Sequence, residues 1–343
     1  MFYSTKKSFN NKLVLFNFKV IIFSMIMLII PVVTLASTNL TQTIHLKTGW
    51  NAIYLEVFPE DPDPDIIFKD SPVTQVLTMF ADDSSVQFIK DPEEMNWKNN
   101  TWFRWVPSNG PEAILKTLYA LNDNQGYIVY ANEDYTLTIT GQPAIKKRQW
   151  QPDAFNLFGF YVDPVSPPTF AQYFAESKSH QNLRVFSLID GIWRQIQKPD
   201  IEIIESGKAY WVYCEGGSDY SGPLQIDLPG TNTYLNYGRT ITEWDITFTN
   251  RTLDPLSVTV TPIPNNPGNE TVPLSTMSYT QLTIRVYEPF MNETPPMVME
   301  AGQSVKFRLA IRRDIIISDL VSSLIKISDD LGNRFFVPVI AEK

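Results

Sequence analysis

Apolar and polar side chains alternate along most of the chain, and a period of two is typical of half-buried β-strands. Residues 42–46 alternate ahead of a strand-like segment at 52–57, and residues 135–140 repeat the pattern just before Gly141. Clusters of Pro, Asp, Asn and Gly separate these segments and predict turns. The chain is therefore predicted to be mainly β.

Short helical segments interrupt this alternation. Asp65 follows three prolines and can cap a helix through Phe68. Pro111 begins an apolar spacing of three and four, which predicts a helix over residues 111–121 that packs across a sheet. A further helix-like segment covers residues 169–177. One or two short helices are thus predicted in each β-rich region.

A duplication organises the first two thirds of the chain. Residues 49–57 return in degraded form at 154–162, and residues 126–130 return at 209–213 in the same order. A fixed internal period indicates a repeated supersecondary unit. Other matched positions are Trp50 with Phe155, Asn51 with Asn156, Trp102 with Trp193, and residues 137–139 with residues 224–228.

The duplication predicts two related β-modules that share one strand order. Module 1 is assigned to residues 37–145 and module 2 to residues 146–229. Trp50 and Phe155 should open equivalent strands, each buried beneath the helix of its own module. The segments 126–130 and 209–213 should occupy the same position in their sheets.

The pattern changes at residue 230, after which neither shared segment recurs. Six or seven strands separated by turns rich in Pro, Gly and Asn predict an immunoglobulin-like β-sandwich over residues 230–343, with residues 329–333 turning between the last two strands. The predicted inward-facing residues are Trp244, Ile246, Phe248, Val258, Val260, Leu282, Ile284, Val286, Val305, Phe307, Leu309, Ile311, Ile325, Ile327, Phe335, Val337 and Val339.

The N-terminal residues predict export. Four lysines and no acid precede an apolar run at residues 20–35, which is short for a membrane span and ends in small residues. We predict a signal peptide, residues 1–36, with cleavage after Ala36 and no membrane insertion of the mature chain. The alternative is an uncleaved anchor that reaches back to Leu13. The predicted location is periplasmic, cell-surface or extracellular.

Charge and cysteine content narrow the function classes. Loss of the leader moves the formal charge from -9 to about -13, because the leader carries lysines and no acids. Nucleic acid is an unfavourable partner for such a chain, and the densest basic cluster, Lys146-Lys147-Arg148, is interpreted as a solvated linker. Cys214 is the one cysteine, so no intrachain disulfide forms, and a small packed position is predicted for it.

Several residues of the duplicated segments resemble a known family. Gly49-Trp50-Asn51 at the start of a strand, the Pro-rich exit, Trp102 and the strand that begins at Gly126 resemble the "GWN" β-modules of exported bacterial and archaeal proteins. The resemblance covers residues 46–140, and residues 155–228 more loosely. It implies export and tandem modules beside immunoglobulin-like domains, and it implies no activity.

The small number of histidines limits the catalytic chemistry that the chain can carry out. His45 and His180 are the only histidines, and neither lies in a G-x-S-x-G or similar context. A hydrolase would have to use carboxylates such as Glu56 or Glu243. The chain is therefore predicted not to be an enzyme, with a carboxylate-dependent hydrolase as the third alternative.

Two binding chemistries remain open. Asp61, Asp63 and Asp65 form an acidic turn that could bind calcium through clustered oxygens, although it lacks EF-hand spacing; a solvated turn without a cofactor is the alternative. Trp97 and Trp105 are the predicted stacking platforms for a sugar. Trp97 lies in a polar loop where a core role is hard to arrange.

The sequence thus favours a secreted or cell-surface, non-enzymatic structural and interaction protein. Its partner is an unidentified protein or glycan at the cell surface. The leading alternative is a carbohydrate-binding module.

Overall fold

β-Strands form most of the regular structure in the described part of the chain. The computed structural model describes residues 38–79, 102–230, 233–265, 269–280 and 284–343. The two α-helices found there are one turn each, so the predicted mainly β fold is confirmed. No helix within these residues has the length and apolar character needed to cross a bilayer.

Module 1 is built from two antiparallel sheets that face each other. Its strands are β1 (Leu40–Leu46), β2 (Gly49–Leu55), β3 (Val57–Pro59), β4 (Val73–Met79), β5 (Trp102–Trp105), β6 (Gln125–Ala131) and β7 (Tyr135–Pro143). One sheet has the order β1-β7-β3 and the other the order β2-β6-β4-β5. Alternate residues of β1, β2, β6 and β7 meet between them in an apolar core.

The helical segments of module 1 differ from the prediction. Helix α1 (Pro64–Ile67) is capped by Asp63, whose side chain accepts the Asp65 N–H at 2.9 Å, so the cap lies two residues before the expected one. The predicted helix over residues 111–121 is wrong. A 3-10 turn, Ala113–Leu115, is present, and the N–H groups at 117 and 118 both donate to the Arg104 carbonyl, which holds that segment against β5.

Module 2 has one four-stranded antiparallel sheet. Its elements are β8 (Ala154–Phe158), helix α2 (Phe170–Phe174), a 3-10 turn (Lys178–His180), β9 (Val185–Ile189), β10 (Ile192–Gln195) and β11 (Tyr210–Cys214). The sheet order is β10-β9-β11-β8. Helix α2 starts at Thr169 with a capping box to Gln172, as the sequence pattern at 169–177 indicates.

The two modules repeat one sheet, strand for strand. The order β2-β6-β4-β5 in module 1 corresponds to β8-β11-β9-β10 in module 2, and the pairing register is the same. Equivalent cross-strand pairs are Trp50–Tyr130 and Phe155–Tyr213, Val76–Val129 and Val185–Val212, and Met79–Trp102 and Leu188–Trp193. The predicted duplication is confirmed for this sheet, including the match of residues 126–130 with 209–213, whereas the β1-β7-β3 sheet of module 1 has no counterpart among the described residues of module 2.

A side-chain amide that bonds a backbone peptide explains why asparagine occupies the same position in both copies. The Asn51 side chain accepts the Lys47 N–H at 2.8 Å and donates to the Lys47 carbonyl at 2.7 Å. Asn156 makes the same two bonds with Gln151, at 2.8 and 3.2 Å. A primary amide reproduces the donor and acceptor of a peptide group, so it closes the loop before each strand.

The two repeated sheets pack face to face. Their shared core contains Ala52, Tyr54, Leu77, Met79, Trp102, Ile128, Leu157, Leu188, Trp193, Ala209 and Trp211. Two glycines permit the close approach, because a Cβ at Gly126 would lie 2.8 Å from Leu157 and one at Gly159 would lie 2.3 Å from Tyr54. Trp50 and Phe155 are half-buried against this shared core, so the prediction that each lies beneath its own helix is wrong.

The outer face of the module 2 sheet carries an aromatic core of its own. Phe160, Phe174 and Trp150 pack there with residues of α2 and β11. Arg148 is 7% exposed, its guanidinium lies 4.9 Å from the centroid of the Phe160 ring, and it donates to the Gly159 carbonyl at 2.7 Å. The interpretation of residues 146–148 as a solvated linker is therefore wrong for Arg148.

The C-terminal part is a sandwich of two five-stranded sheets among the described residues. Its strands are β12 (Leu224–Asp227), β13 (Leu235–Asn236), β14 (Glu243–Asn250), β15 (Leu256–Ile263), β16 (Leu274–Thr280), β17 (Ile284–Pro289), β18 (Met297–Met299), β19 (Ser304–Ile311), β20 (Leu320–Asp329) and β21 (Arg334–Glu342). The sheet orders are β12-β14-β19-β16-β17 and β13-β21-β20-β15-β18. A 3-10 turn, Arg313–Ile315, follows β19.

The predicted inward faces of the sandwich are largely confirmed. Those that are buried in its core are Ile246, Phe248, Val258, Val260, Phe307, Leu309, Ile311, Ile325, Ile327, Val337 and Val339. Trp244, Val305 and Phe335 pack against this core while partly exposed. Val286 is half-buried on the edge strand β17; Leu282 and the side chain of Ile284 lie outside the described residues.

Strand β12 belongs to the sandwich and not to module 2. The sequence match assigned this segment as the counterpart of residues 137–139 in β7, which pairs within module 1. In the structure β12 pairs with β14 along its whole length, from Leu224 opposite Asn250 to Asp227 opposite Thr247. The assignment of residues 224–228 to module 2 is therefore wrong, and the chain crosses into the sandwich before residue 230.

The turn between β20 and β21 docks onto module 2. It closes as the predicted hairpin, with the Asp329 N–H donating to the Asn333 carbonyl at 3.1 Å. The Asp329 carboxylate accepts the N–H groups of Leu331 and Asn333 and the Asn333 side chain. Gly332 has φ 94°, and a Cβ there would lie 1.9 Å from the Ser166 carbonyl oxygen, so only glycine permits this contact.

We expect Asn156→Ala to lower the free energy of unfolding by about 1–2 kcal/mol, because the change leaves the partly buried Gln151 peptide groups without their amide partner. Urea denaturation measures the change. Asn132→Ala is the matched control, since Asn132 is exposed and its backbone N–H supplies its bond to Pro72. Equal, small effects of both changes would contradict the role of the amide.

The buried carboxyl of Asp329 predicts a pH-dependent stability. Burial raises its pKa to about 6, against the hydrogen bonds from Asn333. A raised pKa in the folded state favours the protonated form, so this group destabilises the fold at neutral pH and the penalty disappears as pH falls through 6 towards 4.

We therefore expect Asp329→Asn to stabilise the protein at pH 7 by up to about 3 kcal/mol, with no gain at pH 4. The Asn333 amide can flip to accept from the new side chain. Thermal melts at several pH values give the difference between variant and wild type. The exposed Asp319→Asn should show no such pH-dependent difference; a constant difference for Asp329→Asn would contradict the assignment.

Candidate functional site

A cleft of about 800 Å³ lies between module 1 and module 2. One wall comes from β1 and the start of β2, and the other from the β9–β10 turn and the loop before β11. Its lining residues include Thr43, His45, Lys47, Trp50, Asn51, Tyr130, Leu188, Asp190, Glu205 and Lys208. This is the candidate site, and it lies where the two repeats meet at their edges.

The edge of β2 at this cleft is partly covered by module 2. The Tyr54 N–H donates to the Gly207 carbonyl at 2.8 Å, and the Ala209 N–H donates to the Ala52 carbonyl at 3.1 Å. Ile53 and Lys208 form the antiparallel bridge between these two bonds. The segment at 207–209 is therefore a short added strand on β2, and it ends where the chain turns into β11.

The neighbouring edge, on β1, is open. The Glu60 N–H donates to the Thr140 carbonyl at 3.0 Å, which places the peptide groups of Thr140 on the β3 side of β7. Because Thr140 pairs with Thr41 in an antiparallel ladder, the peptide groups of Thr41, Thr43 and His45 point away from β7. Among the described residues no hydrogen bond reaches the backbone of Thr43 or His45 from this side.

Trp50 forms the inner end of the cleft. Its ring meets Tyr130 edge to face, with centroids 5.1 Å apart. The turn at Asp190 and Gly191 covers it, and both residues have positive φ (51° and 76°), as a two-residue type I′ hairpin turn requires. The Trp50 indole Nε1 is buried and has no partner among the described residues.

Two ion pairs border the cleft. Lys208 pairs with Glu205 at 2.9 Å, and Lys47 pairs with Asp134 at 3.1 Å. The Thr48 N–H and the Lys47 ammonium lower the pKa of Asp134. The cleft thus combines polar backbone groups with two ion pairs and the Asp190 carboxylate.

One cluster around the buried Glu56 carboxylate joins all three parts of the protein. Ser206 of module 2 donates to Glu56 of module 1 at 2.9 Å, and Arg334 of the sandwich lies 3.4 Å from the other Glu56 oxygen. Arg334 also donates to Ser206 at 3.2 Å. We name Glu56, Ser206 and Arg334 the three-module junction. Burial raises the pKa of Glu56, opposed by Arg334 and Ser206.

Sequence patterns gave no signal for this junction. Glu56 was considered as a hydrolase carboxylate, yet it is 2% exposed and engaged with the other two modules. Ser206 and Arg334 lie far from it in sequence and in no motif. Glu243, the other carboxylate considered, pairs with Arg285 at 3.4 Å and Arg308 at 3.7 Å on the sandwich surface.

The predicted sugar-binding residues are not brought together. Trp105 is 2% exposed and its Nε1 donates to Asp65 at 2.7 Å, so the prediction that it offers a stacking face is wrong. It packs against Phe68 in the core of module 1. Trp97 lies outside the described residues and stays a prediction.

The predicted calcium ligands serve the local fold instead. Asp63 caps α1, and Asp61 accepts the Asp63 N–H at 3.1 Å. Asp65 is held by Lys116, Trp105 and Ser108; partial burial opposes the shift, yet these bonds lower its pKa. Within the described residues no group of three His, Cys, Asp or Glu side chains could hold a metal. Calcium binding at these aspartates stays a prediction, and Asp65 would have to give up Lys116, Trp105 and Ser108 to act as a ligand.

The remaining reactive groups are packed. His180 is buried beside Trp150 and not in a polar loop; burial, with Arg148, lowers its pKa to about 4. Cys214 is buried as expected, and burial raises its pKa to about 11. His45 is exposed on β1, with its ring 3.2 Å from the Thr136 hydroxyl.

Comparisons with known proteins add no argument here. No protein-family model and no curated protein matches the chain. Among solved structures it is similar to the ASH/PapD-like domain of human CEP192, with 6% identity over 35% of this chain and 84% of that one and a TM-score of 0.23. For the secreted serine protease VesC from Vibrio cholerae the identity is 8%, the coverage 80% and 69%, and the TM-score 0.22. Likenesses this weak support neither a shared fold nor a shared function.

The junction predicts a test by mutation. Arg334→Met leaves Glu56 buried without its cation and should lower the free energy of unfolding by about 3 kcal/mol at pH 7. Because the pKa of Glu56 is raised, protonation relieves this loss as pH falls, and adding Glu56→Gln should restore most of it at pH 7.

Denaturation curves at pH 7 and pH 5 measure both effects. Arg239→Met is the matched control, because its pair with Glu342 is exposed and should contribute less than about 1 kcal/mol. A loss for Arg334→Met that is independent of pH and of Glu56→Gln would contradict the coupling.

Proposed function

We propose that this chain is an exported, non-enzymatic structural and interaction protein. The observation that carries the proposal is the three-module junction, in which hydrogen bonds around the buried Glu56 connect both repeats and the sandwich. A chain joined in this way presents a rigid surface to a partner. The signal-like leader and the resemblance to GWN modules support export to the cell surface or beyond.

The state of the ionisable groups supports a non-enzymatic role. Glu56 is occupied by the junction, Glu243 by two arginines, and His180 by an aromatic core that keeps it neutral. A catalytic acid or base needs a substrate within hydrogen-bond reach. None of these three groups offers that access, so the carboxylate hydrolase is the weakest of the functions considered.

The carbohydrate-binding alternative now depends on one predicted stacking residue. The burial of Trp105 removes one of its two predicted platforms. Trp97 remains a candidate from the sequence. The half-buried Trp50, which lines the cleft, is covered by the 190–191 turn and is poorly placed as a platform.

In-cell photo-crosslinking tests the interaction role. A photoreactive residue would be placed at Ile114, Val165 or Leu253, which are 91%, 89% and 74% exposed and lie one on each module. We expect a discrete adduct of higher mass from at least one position, recovered from the surface or extracellular fraction.

Buried Val129 is the matched control position and should give no adduct. Retention of the chain in the cytoplasm, or export without an adduct from any of the three positions, would contradict the proposal. Turnover that a single Glu→Gln change abolishes would contradict its non-enzymatic part.

A further inference from the structure

We propose that the free edge of β1 binds an extended peptide strand, whose inward side chains enter the cleft between the modules. This inference rests on the proposed interaction function and names the class of partner and the surface that receives it. The peptide would pair with the backbone of Thr43 and His45, which line the cleft.

The first support is the set of unused peptide groups. Alternation along β1 places the N–H and C=O of Thr43 and His45 at the edge, and both residues line the cleft. Backbone groups at an exposed edge are a template for another strand. Neither residue has a backbone partner on that side among the described residues.

The second support is that the protein already adds a strand at the adjoining edge. The bonds from Tyr54 to Gly207 and from Ala209 to Ala52 pair a segment of module 2 with β2. Gly207 lies against the side of β1, where a Cβ would be 3.4 Å from Ile44. The cleft continues this paired segment, and the added peptide would extend an interface that exists.

The side chains around β1 define the peptide. On the solvent face, Thr41 and Thr43 stand opposite Thr140 and Thr138, and the Thr41 and Thr140 hydroxyl oxygens are 3.0 Å apart. A third strand in this row favours β-branched hydroxyl residues. On the inner face the cleft presents the exposed Ile189 between its polar groups, so the alternate position that meets it favours an aliphatic side chain.

A glycan fits the same cleft less well. Sugars stack on an open aromatic face, whereas Trp50 is half-buried, with its ring edge to face on Tyr130 and its Nε1 without exposed surface. Peptide pairing instead uses backbone donors and acceptors that the edge provides in a fixed row.

The test titrates the purified protein with the peptide Ac-Lys-Thr-Val-Thr-Val-Thr-Lys-NH2 and measures the dissociation constant by NMR. Thr43→Pro removes an N–H that faces the free edge and takes no part in the β1–β7 ladder, a place where an edge strand tolerates proline. We expect Thr43→Pro to weaken binding by about tenfold or more. Thr43→Val keeps the N–H and should change binding by less than about twofold.

A second measurement keeps the proposal falsifiable if Thr43→Pro does not fold. In the wild type, the peptide should slow hydrogen exchange at the Thr43 and His45 amides and leave that at Leu137 unchanged. Two N-methylated forms of the peptide, one methylated at its three Thr positions and one at its two Val positions, test the pairing. Because only alternate N–H groups face β1, one of the two forms should no longer slow exchange at Thr43 and His45.

Three results would overturn the inference. They are no peptide binding up to about 5 mM, binding that Thr43→Pro leaves intact, and cellohexaose or chitohexaose protecting the cleft where the peptide does not. A surface adduct in cells without peptide binding would overturn this inference alone. Peptide binding without any surface adduct would overturn the proposed function and leave the edge as a peptide site.

Discussion

Face-to-face packing of the two repeated sheets is the contact on which the other parts depend. Each sheet directs alternate residues towards its partner, and the pair Gly126 and Gly159 brings the sheets close enough for their large aromatic residues to interlock. Burial of this much apolar surface supplies the main driving force for holding the modules together. The cleft and the junction follow from it, since both lie along the border of this contact.

The three-module junction fixes the orientation of the modules more than it raises the free energy of unfolding. A buried ion pair loses hydration that its attraction only partly restores, so its value lies in fixing one arrangement among several apolar alternatives. Arg334 finds its carboxylate and its hydroxyl in two different modules, and the adjacent hairpin turn has room for its contact only because Gly332 lacks a side chain. The sandwich is thereby held in one orientation against both repeats.

Local patterns along the chain predicted the elements well and their partners less well. Period-two alternation identified the strands, and the match of Trp102 with Trp193 was correct to the residue because both stand opposite equivalent positions in one register. The alternation of residues 224–228 predicts a strand. It could not reveal that this strand pairs with β14, because the backbone hydrogen bonds that join two strands do not depend on the side-chain sequence. Trp105 was predicted to bind a sugar because a tryptophan in a core and a tryptophan in a binding site look the same in a sequence. The sequence shows that Asp65 is acidic, but it does not show that Trp105, Ser108 and Lys116 bind its carboxylate. No sequence motif indicates that Ser206 and Arg334 meet at the junction.

The position of β12 has an evolutionary consequence. Strand β7 closes module 1 upon itself, whereas the corresponding strand after module 2 covers the edge of the sandwich. If recombination removed module 2 at the ends of its repeated sequence, it would also remove β12. Strand β14 would then become an open edge that is prone to aggregate. A duplication or deletion that kept the sandwich intact would therefore have to cut the chain before residue 224 and not at the end of the repeat.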